Sequence, residues 1–243
     1  MRRFAAGLSA SDKRNLRLLA DQRTPPAKYR EIMFMLGEML GEKIARRAVK
    51  RRRALLVCTA EDADYLANGI VHTLRHFVSD LKLACFWNFR TRPESADRLT
   101  IDLDVAPIVK RYEEPTPHSL DFVVVAKSVI STACVVRHNL LDLLERKRPA
   151  QIFIVAPVMY KGADRSLRND FPNATSKKFR FVYFAIDDNR DKRGFLIPGI
   201  GGDVYKRLGF SRTQLKRTLI PDIVKERRGS YSDAVTLSQG HGR

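Results

Sequence analysis

Apolar residues recur along this chain with two periods. Leu55 to Cys58, Leu81 to Phe89, Asp121 to Ala126, Gln151 to Ala156 and Phe181 to Ile186 are short, nearly unbroken runs rich in β-branched and aromatic residues. Runs of that length and composition read as buried strands. Between them the spacing turns helical. Ile32, Leu36, Met39, Leu40 and Ile44 mark one face of a helix over Ala27 to Ala48, and Val136, Leu140, Leu141 and Leu144 do the same over Val135 to Arg146. Tyr65 to Phe77 and Asp164 to Asn169 add two further helices, with Thr59 to Asp64 read as the loop between the first strand and its helix. Strands apolar on both faces that alternate with helices predict an α/β domain, a mostly parallel central sheet with helices on both sides.

The flanks read differently. Residues 1–26 form a basic arm or helix, in which the stretch Ser9-Ala10-Ser11-Asp12 can cap a helix that Thr24-Pro25-Pro26 ends. Residues 27–210 hold the main domain, and residues 211–243 a basic helix over Gln214 to Arg227 and then a Ser/Gly-rich tail. Arg90 to Asp104 is a polar, Arg-rich insertion with one short strand, Leu99 to Leu103.

Composition narrows the class. With 243 residues, 44% of them hydrophobic, the chain has enough apolar material for a large core, and no apolar run approaches the roughly 20 residues of a membrane-spanning helix. The first residues are too soon polar for a secretory signal. Cys58, Cys85 and Cys134 are odd in number, widely spaced and set among apolar neighbours, which predicts buried thiols in a reducing cytoplasm. Charge is the strongest signal: 45 Lys and Arg against 27 Asp and Glu give a formal net of +18. Such an excess is the electrostatic footprint of a nucleic-acid binder, DNA or RNA, or of a basic solvated surface. The candidate contacts are Arg51, Arg52 and Arg53 in the run from Arg46, then Lys177, Lys178 and Arg180, then Lys206, Arg212, Lys216 and Arg217.

Chemistry concentrates between Phe181 and Phe210. The last strand stops at Asp187 and Asp188, a charged turn follows, and Gly194-Phe195-Leu196-Ile197-Pro198 leads into Gly199, Gly201 and Gly202, then Asp203, Lys206 and Arg207. This order resembles the C-terminal signature of uracil phosphoribosyltransferases, whose glycine turn is followed by Asp-Ala-Gly-Asp-Arg. With one inserted glycine, Asp203 and Arg207 match the first Asp and the Arg, and Lys206 stands in place of the second Asp. The helix from Ala27, with its Leu36-Gly37 and Leu40-Gly41 pairs, is also similar to that family's early helix.

The resemblance implies a type I phosphoribosyltransferase fold with a hood insertion. It implies a base-binding turn of Ile197, Gly199, Gly201, Gly202 and Arg207; if activity with phosphoribosyl pyrophosphate survives, Asp187, Asp188 and Asp203 replace the lost acids around Mg²⁺ or the ribose. Its ribose-phosphate cradle maps onto Lys127, Ser128, Ser131 and Thr132. Here the family's acid is replaced by Lys127, and its two glycines by Ala133 and Cys134, whose side chains crowd the backbone that a phosphate approaches. The pyrophosphate loop maps onto Thr59 to Asp64, where Glu61, Asp62 and Asp64 would repel a pyrophosphate unless metal ions intervened.

Two readings follow. In one, the fold is a scaffold and the basic surface binds nucleic acid or a nucleic-acid-bearing partner, in the manner of the phosphoribosyltransferase-like proteins that accompany reverse transcriptases in bacterial retron defence. A second copy of the chain is also a compatible partner; a membrane is not. In the other reading, phosphoribosyl transfer or a related nucleotide reaction survives on Asp187, Asp188 and Asp203. Two smaller features carry both a structural and a functional reading. His72 and His76 lie four apart on one helix, and Trp87, Phe89 and Arg90 leave a strand end where a base could stack.

Overall fold

The computed structural model describes residues 1–48, 53–89, 105–191, 194–210 and 218–229. The hood insertion with its strand Leu99 to Leu103, together with Arg51, Arg52, Arg90, Arg212, Lys216 and Arg217, lies outside the described residues.

The chain enters through a short strand, β1 (Arg2–Phe4), and a helix, α1 (Ala10–Ala20), which starts on a capping box: the Ser9 side chain accepts from the Asp12 N–H and Asp12 accepts from the Ser9 N–H. The long helix α2 (Pro26–Ala45) follows, with proline at its first turn. Strand β2 (Arg53–Thr59) then runs directly into a helix in three pieces: α3 (Ala60–Asp62), a π-helical turn (Ala63–Ala67) and α4 (Asn68–Leu74). Next come β3 (Asp80–Asn88), β4 (Ile108–Glu113), β5 (Ser119–Ala126) and β6 (Val129–Ile130), then α5 (Cys134–Arg146) and the long β7 (Arg148–Tyr160). The remainder is α6 (Ala163–Asn169), α7 (Asn173–Ser176), β8 (Phe179–Asp187), the hairpin β9 (Asn189–Arg190) and β10 (Leu196–Ile197), and α8 (Val204–Arg207).

The main sheet has the order β1-β8-β7-β5-β2-β3-β4. Its centre, β8 through β3, is parallel, and the antiparallel β1 and β4 close the two edges. The sheet is mixed with a parallel core, as the alternation of strands and helices predicts. Side chains alternate between two cores. Leu56, Phe122, Val124, Phe153 and Phe184 pack under α1, α2 and α4, while Leu55, Val57, Val123, Val125, Ile152 and Ile154 pack under α5 and α6. At about 25 cal/mol per Å² of apolar surface, it is this double-sided burial that holds the strands in one register.

Close approach of α2 to the π turn and α4 depends on glycine. A Cβ on Gly37 would stand 2.2 Å from the Leu66 carbonyl oxygen, and one on Gly69 would stand 2.1 Å from that of Phe34. The two helix backbones therefore touch without intervening side chains, and α2 is drawn down onto the first βα unit.

The structure differs from expectation in three places. Thr59 to Asp64 is not a loop, because the helix starts at Ala60 and the Thr59 hydroxyl is held by Asp62 at 2.7 Å. Strand β4 has no clear apolar alternation; it exists by pairing along β3. Of the helix expected over Gln214 to Arg227, residues 214–217 lie outside the described residues; residues 219–221 are not helical, and the helix occupies 222–229, starting after Pro221. Its first turn docks on Asp64, which accepts the Ile223 N–H at 3.0 Å, and Arg227 reaches Glu114 at 2.9 Å. Among the described residues no helix is long and apolar enough to cross a membrane.

Candidate functional site: the crevice between β2 and β5

From β2 the chain steps to β3 on one side, and the later parallel strands β5, β7 and β8 build on the other. In an open parallel sheet this reversal opens a crevice at the carboxyl ends of the two strands flanking it. Here those ends are Thr59 and Ala126, and the segments beyond them are Ala60 to Asp62 and Lys127 to Ala133.

The two segments are locked to each other. Lys127 Nζ lies 2.6 Å from Asp62 Oδ2 and 2.9 Å from Glu61 Oε1, and the Ser128 N–H donates to Asp62 Oδ1 at 3.1 Å. Asp62 thus accepts from Lys127, Ser128 and Thr59, and its side chain is 1% exposed. Glu61 also accepts the Tyr205 hydroxyl at 3.5 Å, which ties in α8. Burial opposes ionisation of Glu61, but the Lys127 ammonium outweighs it and holds Glu61 below the usual carboxylate range. Asp62 is raised by its burial and by the neighbouring Glu61, with Lys127 acting against both. Burial alone would lower Lys127; Asp62 and Glu61 together push it well above an ordinary lysine. Desolvation raises the Tyr205 phenol, which stays neutral.

The opposite charges in the two segments therefore compensate each other. Lys127 stands just beyond the end of β5, and Glu61 and Asp62 just beyond the end of β2. Sequence reasoning noted each departure and missed that they face each other; the available signal was opposite charges placed just beyond two adjacent strand ends.

The segment beyond Lys127 is also tied down by the chain itself. Val129 and Ile130 pair with Val158 and Met159 of β7, so the segment is stitched to the sheet. The Ser131 hydroxyl donates to the Gly194 carbonyl at 2.7 Å, and Arg190, stacked on Tyr160, donates to the Ser131 carbonyl. The β9–β10 hairpin closes over the cradle in this way. Thr132 is half-buried, and Ala133 takes φ 58°, a left-handed conformation that glycine adopts without strain.

The three C-terminal aspartates serve separate contacts. Asp187 is fully buried; Arg2 grips it through Nε at 2.9 Å and a terminal nitrogen at 2.8 Å, and the Gly199 N–H donates to it at 2.8 Å. Asp188 is half-buried and pairs with Arg3 at 3.2 Å. Asp203 caps α8, accepting the Lys206 N–H at 3.4 Å. No group of three His, Cys, Asp or Glu placed to hold a metal ion occurs among the described residues. Each aspartate read as catalytic thus has a contact within the fold.

The glycine turn folds around Asp187. Gly199 has φ 54°, and a Cβ there would sit 2.4 Å from the Leu196 carbonyl oxygen, which excludes other residues. Ile197 is exposed beside it, Gly202 faces open space, and Gly201 lies against the end of α1. Arg207 is buried: it donates to the carbonyls of Leu19, Asp21 and Gln22 and stacks on Tyr29 at 4.8 Å, so it caps α1 from outside the helix.

The basic residues fall at opposite ends of the sheet. Arg53, Lys177, Lys178 and Arg180 lie by the amino ends of β2 and β8, whereas Lys206 is exposed on α8, near the carboxyl ends. Arg53 and Lys178 are three strands apart, about 14 Å across the sheet. The smaller features have structural partners. His72 is 2.9 Å from Glu38, and Trp87 is buried with its indole N–H on the Leu219 carbonyl at 2.7 Å. Phe89 is half-buried and its N–H bonds the Pro107 carbonyl. The three cysteines are buried and lie outside any disulfide.

No protein-family model matches this chain, and no curated protein matches it in sequence. Solved structures do. The AQ2163 protein from Aquifex aeolicus superposes with a TM-score of 0.64 at 18% identity, over 85% of this chain and 98% of its own, and the two share a fold. Weaker likenesses include a hypoxanthine phosphoribosyltransferase from Trypanosoma cruzi, TM-score 0.41 at 12% identity over 72% of this chain and 81% of that one. Another is the hypoxanthine phosphoribosyltransferase from Staphylococcus aureus, TM-score 0.39 at 9% identity over 55% of this chain and 66% of that one.

Proposed function

We propose that this chain is a phosphoribosyltransferase-like protein whose crevice no longer takes phosphoribosyl pyrophosphate, and that it acts as a nucleic-acid-associated component. The observation that carries this reading is the buried contact of Lys127 with Asp62 and Glu61. A ribose diol needs an acceptor beyond the central strand, and a pyrophosphate needs donors beyond its neighbour. Here an ammonium occupies the first place and carboxylates the second, and each satisfies the other. A formal net charge of +18 supports a polyanionic partner. By analogy with phosphoribosyltransferase-like proteins that stand beside reverse transcriptases, that partner is a nucleic acid or a protein carrying one, in an anti-phage system of the retron type.

The test has two arms. Incubation with phosphoribosyl pyrophosphate, Mg²⁺ and each nucleobase is expected to release no pyrophosphate above background. Chain purified from its native host is expected to carry nucleic acid that high salt removes. Pyrophosphate release dependent on a base, or purification free of nucleic acid at low salt, contradicts the reading.

One observation favours the alternative, a surviving nucleotide enzyme. Glu61 remains 20% exposed at the crevice, a lowered carboxylate beside Lys127 and Tyr205. If that reading holds, turnover is lost in Glu61→Gln, and Asp203→Asn leaves it in place.

A further inference from the structure

Strand β8 has a neighbour along its whole length on one side and along only part of it on the other. β7 accompanies it from Phe179 to Asp187, whereas β1 reaches only Ala185 to Asp187. One further bond runs from the Ala5 N–H to the Phe184 carbonyl at 2.8 Å. Beyond it the chain turns away through Gly7, at φ 77°, into α1. Among the described residues no strand continues the line of β1 beside Phe181 to Tyr183. A cleft of about 380 Å³ lies there, with Ala6 at one end, Phe181 to Tyr183 along its floor, and Lys43 and Arg47 on the α2 side.

Main-chain groups point to alternate sides along a strand. The Lys178 carbonyl accepts from Ile152 of β7 at 3.0 Å, so Arg180 and Val182 also turn towards β7, while Phe179, Phe181 and Tyr183 turn outward. The Phe179 carbonyl agrees, since it accepts from the side chains of Arg168 and Arg180. The alternation slips once, at Phe184, which lies opposite Pro157. Proline has no N–H to offer, and the Phe184 carbonyl turns to Ala5 instead. Phe181 and Tyr183 therefore face the cleft with N–H and C=O groups that no strand of the described residues takes up. An edge of this kind is a template for another strand.

The two faces of this edge differ. The Phe181 and Tyr183 rings pack on the α5 and α6 side, with Arg168 over Phe181 at 5.1 Å. Val182 points to the opposite side, where Lys43 lies over the Phe184 ring at 5.9 Å and Arg47 is exposed. Neither cation has a carboxylate partner among the described residues, Glu42 being paired with Arg46, and no carboxylate lines the cleft. A strand laid antiparallel in line with β1 sets alternate side chains beside the rings and beside the cations. We infer that this edge takes an extended segment of a partner protein in which apolar and acidic residues alternate. Its apolar residues pair through the main chain with Phe181 and Tyr183, and its carboxylates meet Lys43 and Arg47. Charge decides between occupants: a second copy would bring Lys43, Arg47 and Arg180 against the same cations, whereas an acidic strand neutralises them. The inference stands apart from the nucleic-acid reading, and either can fail without the other.

The probe is a fluorescein-labelled peptide, Thr-Val-Glu-Val-Glu-Val-Thr, titrated with the full chain and followed by anisotropy. Binding should saturate, and the variant Lys43→Glu/Arg47→Glu should weaken it at least about tenfold. Methylating the valine nitrogens, which face β8, should abolish binding; methylating the glutamate nitrogens, which face away, should leave it in place. In the complex, hydrogen exchange should slow at the Phe181 and Tyr183 amides and stay unchanged at Val182. Equal binding of the two methylated peptides, or by the charge-reversed variant, overturns the inference. So does a failure to saturate up to about 1 mM peptide. If the chain self-associates in sedimentation and takes no peptide, the edge belongs to a second copy. If it takes no peptide but binds oligothymidylate and loses it in Lys43→Glu/Arg47→Glu, the cations belong to a nucleic acid. Either result overturns strand addition. Because Lys43 and Arg47 are at the surface, the variant is expected to melt like the wild type; if it does not, Arg47→Glu alone serves, and the methylated peptides need no variant.

Discussion

Arg2 and Asp187 sit opposite each other in the β1–β8 register, and the guanidinium holds both carboxylate oxygens at 2.8 and 2.9 Å in a site where the carboxylate is fully buried. The same guanidinium donates to the carbonyls of Leu16 and Gly199. One residue of the entering strand therefore joins α1, the end of β8 and the glycine turn. Removing one member of a buried pair leaves a charge without compensation, which typically costs about 3–5 kcal/mol. Arg2→Ala should lower unfolding free energy by about that amount in urea denaturation. A loss below about 1 kcal/mol would show that the pair is not structural.

The Gly37–Gly69 contact predicts a steric effect. Gly69→Ala puts a methyl group within bond-like range of the Phe34 carbonyl, so backbone must shift, at a cost of about 1–3 kcal/mol or more. Gly229→Ala, where a Cβ meets nothing, should change stability by less than about 0.5 kcal/mol. Thermal melts of the two variants check the contrast.

The alternation of buried strands and helical faces made the parallel core and most of its elements legible in the sequence. What hid the rest was contact between distant segments. Arg2 read as part of a basic arm because nothing nearby reveals that Asp187 will face it. Asp187 and Arg207 read as site residues because their motif matched, while their partners, Arg2 and the carbonyls at the end of α1, come from the other end of the chain. Lys127 and Glu61-Asp62 were each visible as anomalies, and only the β2–β5 pairing turns them into one cluster.

Ala133 offers a local test of the segment beyond β5. A non-glycine residue at φ 58° costs roughly 1–2 kcal/mol, against about 0.8 kcal/mol gained by burying its methyl group. Ala133→Gly should therefore be neutral or stabilise by up to about 1 kcal/mol, where a glycine in ordinary helical backbone destabilises. A clear loss of stability in equilibrium denaturation would contradict this.

The Lys127 cluster predicts a pH signature. Glu61 is held below its unfolded value, so its contribution is present above about pH 4.3 and is lost as pH falls through the folded pKa. Lys127 is held above its unfolded value, so its contribution is present below about pH 10.4 and is lost only as pH rises through the folded pKa. Lys127→Met removes the cation that lowers both carboxylates, and burial then raises them. The variant should be less stable than wild type by about 3–5 kcal/mol near pH 8. It should recover part of that loss towards about pH 5 as the carboxylates take up protons. An equal deficit at both pH values would exclude a buried charge as its source.

Calorimetric titration of the chain with phosphoribosyl pyrophosphate in the presence of Mg²⁺ addresses the central claim, that the crevice between β2 and β5 is filled and neutralised by its own side chains. The expected result is no saturable heat beyond that of a non-specific anion such as tripolyphosphate. Saturable binding that tripolyphosphate does not displace and that Glu61→Gln abolishes would contradict it.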